Sequence, residues 1–316
     1  MTDFIVSVEN LSKHYGETKA ASKLNFNILH GECFGLLGPN GAGKTTTIGM
    51  LTGLIDPTEG RVKIGDFDLQ IDPLKAKAKI GFVPQDFAFY PTLSARENLF
   101  FFGRIYGLHG RHLRRRADII LQMVELDDCA GSAVSTFSNG MKRRLNIAIG
   151  LLHDPDILIL DEPTVGIDTH RRQIILEQLQ RFNSDGLSIL YSTHYLEEAQ
   201  RLCHRVAVID KGKIIALDTP KQLISELGEG IIRVCFSKPI SSLHLNRLKQ
   251  LGPLVHWDST IAHIQLKKNS ADYVIRQLVV LAEREGFSIE SLNRLKPTLE
   301  TALLHLTGRP SIVKDS

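Results

Sequence analysis

Residues 38–45 read GPNGAGKT, a match to the phosphate-binding pattern G-x-x-x-x-G-K-[ST]. The apolar segment Cys33 to Leu37 before it predicts a strand, and Thr46 to Leu54 after it predicts a helix. The glycines therefore fall at a strand-to-helix turn, the setting the pattern requires. Glycine backbones reach positive φ and approach a polyphosphate closely, which turns successive N–H groups onto it. The helix start adds unpaired N–H groups and a positive dipole end. Gly38, Pro39, Asn40, Gly41, Ala42, Gly43, Lys44, Thr45 and Thr46 are the candidate phosphate-binding residues. In this reading Lys44 reaches the β- and γ-phosphates, and the Thr45 hydroxyl completes the coordination of a magnesium ion. The bland alternative is a glycine-rich turn that binds nothing; the Lys-Thr pair between a strand and a helix argues against it.

A second motif turns phosphate binding toward hydrolysis. ILIL at 157–160 is a short continuous apolar run of the kind that forms a strand buried on both faces. It ends in Asp161 and Glu162, at the carboxyl end of a parallel strand, where ligands gather in doubly wound α/β folds. Successive strand residues point to opposite sides, so the two acids are expected to divide the work. Asp161 is assigned to the magnesium shell and Glu162 to polarising the attacking water.

Composition limits what surrounds this site. The chain has 316 residues, 43% hydrophobic and 23% charged, enough for one nucleotide-binding domain and a smaller second one. A net charge of +3 offers no broad basic footprint, so no nucleic-acid partner is expected. The dense basic run RHLRRR at 111–116 reads as a solvated helix face or a partner surface. Cysteines 33, 129, 203 and 235 are too dispersed for metal-ligand spacing and read as small buried residues in a reducing compartment. No apolar run reaches the roughly eighteen residues of a membrane span, and MTDFIVSVEN at the start lacks a signal-peptide layout. A cytoplasmic chain that reaches a membrane only through a partner is expected.

FSNGMKRR at 137–144, between the two motifs, resembles the signature of the ATP-binding cassette (ABC) family. That signature is a Ser-Gly-Gly segment at a helix start. The drug- and polysaccharide-exporter branch follows it with Met and basic residues, as Met141, Lys142, Arg143 and Arg144 do here. Other family positions have counterparts in order: Tyr15 where adenine would stack, Gln85 in GFVPQ, Asp168 in TVGID, and His194 in YSTH. The resemblance covers about residues 4–225. It implies ATP and Mg2+ as ligands, with Glu162, His194 and Gln85 as catalytic residues. Thr45, Gln85 and Asp161 would hold the metal. Ser138, Asn139, Gly140 and Met141 would act on nucleotide held by a second copy or a similar cassette, and Asp168 would lie in the dimer loop. It also implies an integral membrane permease as partner, which places the chain on the inner face of the cell membrane. One position departs from the pattern: Asn139 stands where the family has its first signature glycine. Asparagine tolerates left-handed backbone angles, so the turn is expected to survive, with an added side chain facing a neighbouring subunit's γ-phosphate.

The fold class implied is α/β, a P-loop nucleotide-binding fold with an antiparallel β subdomain and an inserted helical subdomain. Phe4, Val6 and Val8, like Leu24, Phe26 and Ile28, alternate as antiparallel strands with one buried face. Apolar strands at 80–83, 157–160, 188–192 and 206–210 predict a parallel core. VAVIDKGKIIAL at 206–217 predicts a hairpin turning at Lys211-Gly212. Residues 86–150 predict the helical subdomain, which by the resemblance docks a permease. Gly228 and Gly230 mark a boundary between an ATP-binding domain, 1–226, and an accessory domain, 230–308, with a tail at 309–316. IIRVCF, a helix at 242–251, LVHW, IAHIQL, a helix through Val274, Leu278 and Leu281, and FSIESL then read strand-helix-strand-strand-helix-strand, the ferredoxin-like order. A last helix starts near 298, and Trp257 is expected to pack. The resulting reading is the ATPase subunit of an ABC exporter. A soluble non-transport ABC ATPase and a regulatory cassette with weak hydrolysis stand beside it as alternatives.

Overall fold

The computed structural model describes residues 3–225, 229–267, 270–286 and 288–307. Gly228, Phe287 and the tail 309–316 lie outside the described residues. Two compact units emerge, Met1–Leu217 and Asp218–Ser316.

The first unit opens with a long hairpin, β1 (Phe4–Tyr15) and β2 (Thr18–Leu29). Val6, Val8, Leu24, Phe26 and Ile28 are buried as the alternation predicts, but Phe4 is exposed and Ile5 buried. A register shift between Phe4 and Val6 reverses the phase there. β3 (Cys33–Leu37) is buried along its whole length and leads into α1 (Lys44–Leu51). This helix starts two residues before Thr46 because Gly43, in the left-handed conformation at φ 107°, forms its N-cap. It stops short of Leu54 because the Thr52 hydroxyl donates back to the Ile48 carbonyl at 2.9 Å and Gly53 leaves at φ 65°. β4 (Glu59–Ile64) and β5 (Phe67–Asp68) complete an antiparallel sheet ordered β2-β1-β4-β5.

After α2 (Pro73–Ala78) and β6 (Ile80–Val83) come the inserted helices α3 (Ala95–Ile105), α4 (Gly110–Met123) and α5 (Asn139–Leu151). The remainder alternates: β7 (Ile157–Asp161), α6 (Thr169–Ser184), β8 (Ser188–Thr193), α7 (Leu196–Leu202), β9 (Arg205–Asp210) and β10 (Lys213–Asp218). Their sheet has the order β10-β9-β3-β8-β7-β6, with parallel pairing from β9 to β6. The β9–β10 turn is Lys211 at φ 49° and Gly212 at φ 73°, the paired positive angles a two-residue hairpin needs. One apolar core joins the two sheets and α1, including Val6, Leu24, Phe34, Ile48, Val62 and Ile159.

Two expectations about side-chain burial change. Arg114 and Arg115 are exposed, but Arg116 donates to the Leu151 and Leu152 carbonyls at 2.9 and 3.1 Å and pairs with Asp154. One member of the basic run therefore caps carbonyls at the end of α5, of which that of Leu151 also accepts the Asp154 N–H at 3.2 Å, instead of facing solvent or a partner. Cys33 and Cys203 are buried as expected, whereas Cys129 and Cys235 are only half-buried; all four are free thiols.

The second unit comprises α8 (Pro220–Ser225), β11 (Ile231–Phe236), α9 (Ser242–Leu251), β12 (Leu254–Trp257), β13 (Ile261–Gln265), α10 (Ala271–Glu285), β14 (Ile289–Leu295) and α11 (Leu299–Thr307). The division precedes the glycines at 228 and 230, and α8 packs with α11 inside the second unit. All strand pairs are antiparallel, in the order β12-β13-β11-β14, which is the ferredoxin-like plait. Ile232, Val234 and Phe236 meet Leu248, Val274, Leu278 and Leu281 in its core. Trp257, on the edge strand, is half-exposed beneath Lys249 rather than packed inside.

The other face of this sheet holds a buried imidazole. His263 is 4% exposed, paired across the strands with Arg233 and His256, and among the described residues neither ring nitrogen has a hydrogen-bond partner. Burial, then His256 and Arg233, lower its pKa from 6.5 to about 4. The unfolded chain thus takes up this proton near pH 6.5 while the folded chain resists it until about pH 4. The neutral fold is fully stable above that window and loses up to about 3 kcal/mol as pH falls through it. In urea melts followed by the fluorescence of the single Trp257, the wild type should lose stability from pH 7 to 5 while His263→Leu stays level. Parallel losses in both would remove His263 as the cause.

Candidate functional site

Strand order assembles the site. β8 lies between β3 and β7, with Leu37 beside Thr193 and Asp161 beside Ser192. The loop after β3, the histidine after β8 and the acids ending β7 therefore emerge side by side at the carboxyl edge of the parallel sheet. The loop is set close to the backbone around it. A Cβ on Gly38 would lie 2.3 Å from the Ile209 carbonyl, and one on Gly43 would lie 2.3 Å from that of Ala20. The Gly212 N–H donates to the Ala42 carbonyl at 2.8 Å, pinning the loop to the β9–β10 hairpin. Asn40 and Gly41 are exposed at its tip, and Thr45 and Thr46 follow on the first turn of α1 with Thr45 exposed.

Lys44 is only 4% exposed. Its Nζ donates to the carbonyls of Gly38 at 2.8 Å and Pro39 at 3.2 Å and pairs with Glu162 Oε1 at 3.0 Å. The other oxygen of Glu162 meets His194 Nδ1 at 3.0 Å. Cation, carboxylate and imidazole thus form one chain across the mouth of the loop. Glu162 adopts φ 45°, a left-handed angle that costs a non-glycine residue about 1–2 kcal/mol. Its N–H is held by Ser192 Oγ at 2.9 Å, and the same hydroxyl donates to Asp161 Oδ1 at 2.7 Å. One serine thereby orients both acids, Asp161 in the strand and Glu162 turned out of it.

The remaining candidates lie apart from this cluster in hydrogen bonding. Tyr15 is exposed at the end of β1 with Lys13 over its ring. Gln85 is exposed after β6; among the described residues its side chain bonds neither Thr45 nor Asp161, but its carbonyl accepts from Arg143 at 2.8 Å. Ser138 is the N-cap of α5, accepting from the Met141 N–H. Asn139 is the first residue of that helix and is exposed, so it needs no left-handed angle; the tolerance expected of asparagine is not called upon. A Cβ on Gly140 would lie 2.9 Å from Cδ of Arg171, an exposed and flexible side chain that can move aside. Asp168 caps α6 by accepting the Arg171 N–H at 3.0 Å, a bond that holds its carboxyl below the usual range.

Sequence reasoning missed the residues that hold these segments. Arg143 is buried and donates to the Pro84 and Gln85 carbonyls at 2.9 and 2.8 Å. Asn146 accepts from the Ala88 N–H at 3.1 Å, so α5 grips the segment that carries Gln85 from two sides. The available signal was a buried-face Arg and Asn, one helical turn apart, in an otherwise apolar stripe. Ser192 offered only its place two residues before His194.

With this geometry in place, comparisons locate the chain among known proteins. Residues 21–165 match the ABC transporter family. The chain is 40% identical to the linearmycin resistance ATP-binding protein of Bacillus subtilis (strain 168), covering 96% of this chain and 99% of that one. It is 41% identical to a Nod factor export ATP-binding protein of Paraburkholderia xenovorans, covering 98% and 99%. Among solved structures, it resembles a dimeric ATP-binding cassette in a post-hydrolysis state bound to ADP and Pi, with TM-score 0.61, 31% identity and coverage of 68% and 98%.

Proposed function

This chain belongs to the ABC transporter family as an ATP-binding subunit, and from that membership we propose how its own residues bind and hydrolyse ATP to drive export through a permease. The observation that carries the reading is the meeting of Lys44, Glu162 and His194 at the phosphate loop, with both contacts to the carboxylate at 3.0 Å. Phosphates entering the loop meet the inward N–H groups and the α1 N-terminus and take Lys44 away from Glu162. The freed carboxylate orients the attacking water, and His194, still in reach of Glu162, donates to the γ-phosphate oxygens. Tyr15 offers the face on which adenine stacks.

The donor set fits a magnesium ion. Thr45 supplies a hydroxyl, Asp161 a carboxylate and Gln85 an amide, all hard oxygen donors. When bound, the ion neutralises charge on the β- and γ-oxygens. Ser192 keeps Asp161 in the orientation this needs, and Arg143 with Asn146 sets the path of the segment bearing Gln85.

Ser138, Asn139, Gly140 and Met141 present the N-terminal turn of α5 to nucleotide held by a second copy or a similar cassette, with Asp168 beside the shared boundary. Asn139 is exposed on the first turn of α5, and its amide would face that phosphate in the paired state. Among the described residues no helix is long and apolar enough to cross a membrane. In this reading the permease carries the chain to the membrane's inner face. The exposed aromatics Phe87 and Tyr90, before α3, and Phe101, on α3, supply the apolar contact for it. ATP-driven closure of the cassette pair performs work because ATP binds the closed pair better than the open one. Affinity isolation of the chain from its native membrane should recover one integral membrane partner together with ATP hydrolysis. Recovery of an active chain without any membrane protein would sink the transport assignment.

A further inference from the structure

Glu198, the third residue of α7, is buried at 4% exposure although its neighbour Glu197 is exposed. A buried carboxylate is retained only where donors satisfy it. Three hydroxyls do so here, with a guanidinium nearby as counter-charge. Thr164 Oγ1 donates to it at 2.8 Å, Tyr191 OH at 2.7 Å and Thr193 Oγ1 at 2.9 Å, while Arg172 Nε approaches to 3.5 Å. These partners come from two segments that the hydrolytic reading needs. Thr164 lies two residues after Glu162 on the loop toward Asp168, and Thr193 directly precedes His194. Thr193 uses its hydrogen on Glu198, which leaves its oxygen free to accept the Tyr195 N–H at 2.9 Å, fixing the backbone on both sides of His194. Arg172 adds a second strap: its guanidinium sits 4.2 Å over the Tyr195 ring and reaches the Ile167 carbonyl at 3.4 Å.

We propose that Glu198 is a positioning residue for hydrolysis, a buried anion that locks the His194 segment to the Glu162–Asp168 loop so that imidazole and carboxylate keep their registry as the loop is drawn to a partner subunit. It acts through Thr164 and Thr193 rather than on the reacting atoms. The inference rests on the reading of Glu162 and His194 as the hydrolytic pair. Hydroxyls impose it because each can donate in one direction only, and a carboxylate accepts from all three at once.

The test uses the full chain, steady-state ATP hydrolysis and nucleotide-binding measurements. Glu198→Gln should lower kcat about tenfold with KM within about twofold, since the phosphate loop is untouched. Glu197→Gln should leave both unchanged. Because Glu198→Gln removes a buried charge and could fail to fold, Thr164→Val and Thr193→Val provide the same test, and Thr164→Ser should restore the rate by restoring the hydroxyl. Combining Glu198→Gln with Thr193→Val should cost no more than the larger single loss. A normal kcat in folded Glu198→Gln or in both valine variants, or losses that simply multiply, would overturn the proposal. Wild-type hydrolysis that survives Glu162→Gln would instead sink the underlying assignment.

Discussion

Replacing Glu162 with Gln should reduce ATP turnover by at least about a hundredfold while leaving ATP binding intact, because a positioned general base contributes on that scale and the amide keeps the shape of the site. The geometry adds a second expectation. Lys44 pairs with Glu162 at 3.0 Å, so phosphates that bind the loop compete with that carboxylate for the same cation. Removing the charge removes the competitor, and ATP should bind at least as tightly as to the wild type. With turnover blocked, light scattering should show ATP-dependent dimers that persist, where the wild type cycles back to monomer. Near-wild-type turnover would disqualify Glu162 as the catalytic carboxylate. Weaker ATP binding with turnover lost would mean that the charge supports the phosphate site rather than the water.

Lys44→Ala should have the opposite profile. The variant loses the cation nearest the phosphates, and ATP affinity should fall about a hundredfold, equivalent to about 3 kcal/mol. It also leaves Glu162 in a buried setting with His194 as its remaining partner in the triad. Losing one side of a buried ion pair costs more than the pair contributes, so the variant without nucleotide should be destabilised by about 3 kcal/mol. Adding Glu162→Gln to Lys44→Ala should recover much of that stability without restoring ATP affinity. Calorimetric titration and thermal melts separate the two effects. Unchanged affinity in Lys44→Ala would remove the loop from the mechanism. Equal stability of the single and double variants would mean that water, and not Lys44, satisfies the carboxylate.

Both outcomes depend on contacts that span long stretches of chain, and their legibility in the sequence was uneven. GPNGAGKT was readable because its constraints are local: glycines for close backbone approach, a strand before and a helix after. The boundaries of α1 were misplaced by a few residues because Gly43 acts as a cap and the Thr52 hydroxyl ends the helix, both choices of backbone geometry that periodicity does not encode. Arg116 was read as surface because a charge run on a helix is usually solvated, and only the position of the α5 C-terminus turned it into a cap. Asn139 was judged by a left-handed conformation that the helix never asks of it.

The sequence by itself determined the phosphate loop, the acid pair, the order of strands along the chain and the family signature, since each depends on neighbours within a few residues. Tertiary structure alone decided that β8 inserts between β3 and β7, which brings His194 and Lys44 onto the two oxygens of Glu162. It alone decided that Ser192 orients both acids, that Arg143 holds the Gln85 segment, and that of two adjacent glutamates Glu198 is buried among three hydroxyls while Glu197 faces water. The physical reason is that a side chain's hydrogen-bond partners follow from the spatial order of strands in a sheet. That order is set by packing of the whole core and leaves no periodic trace in the residues it brings together.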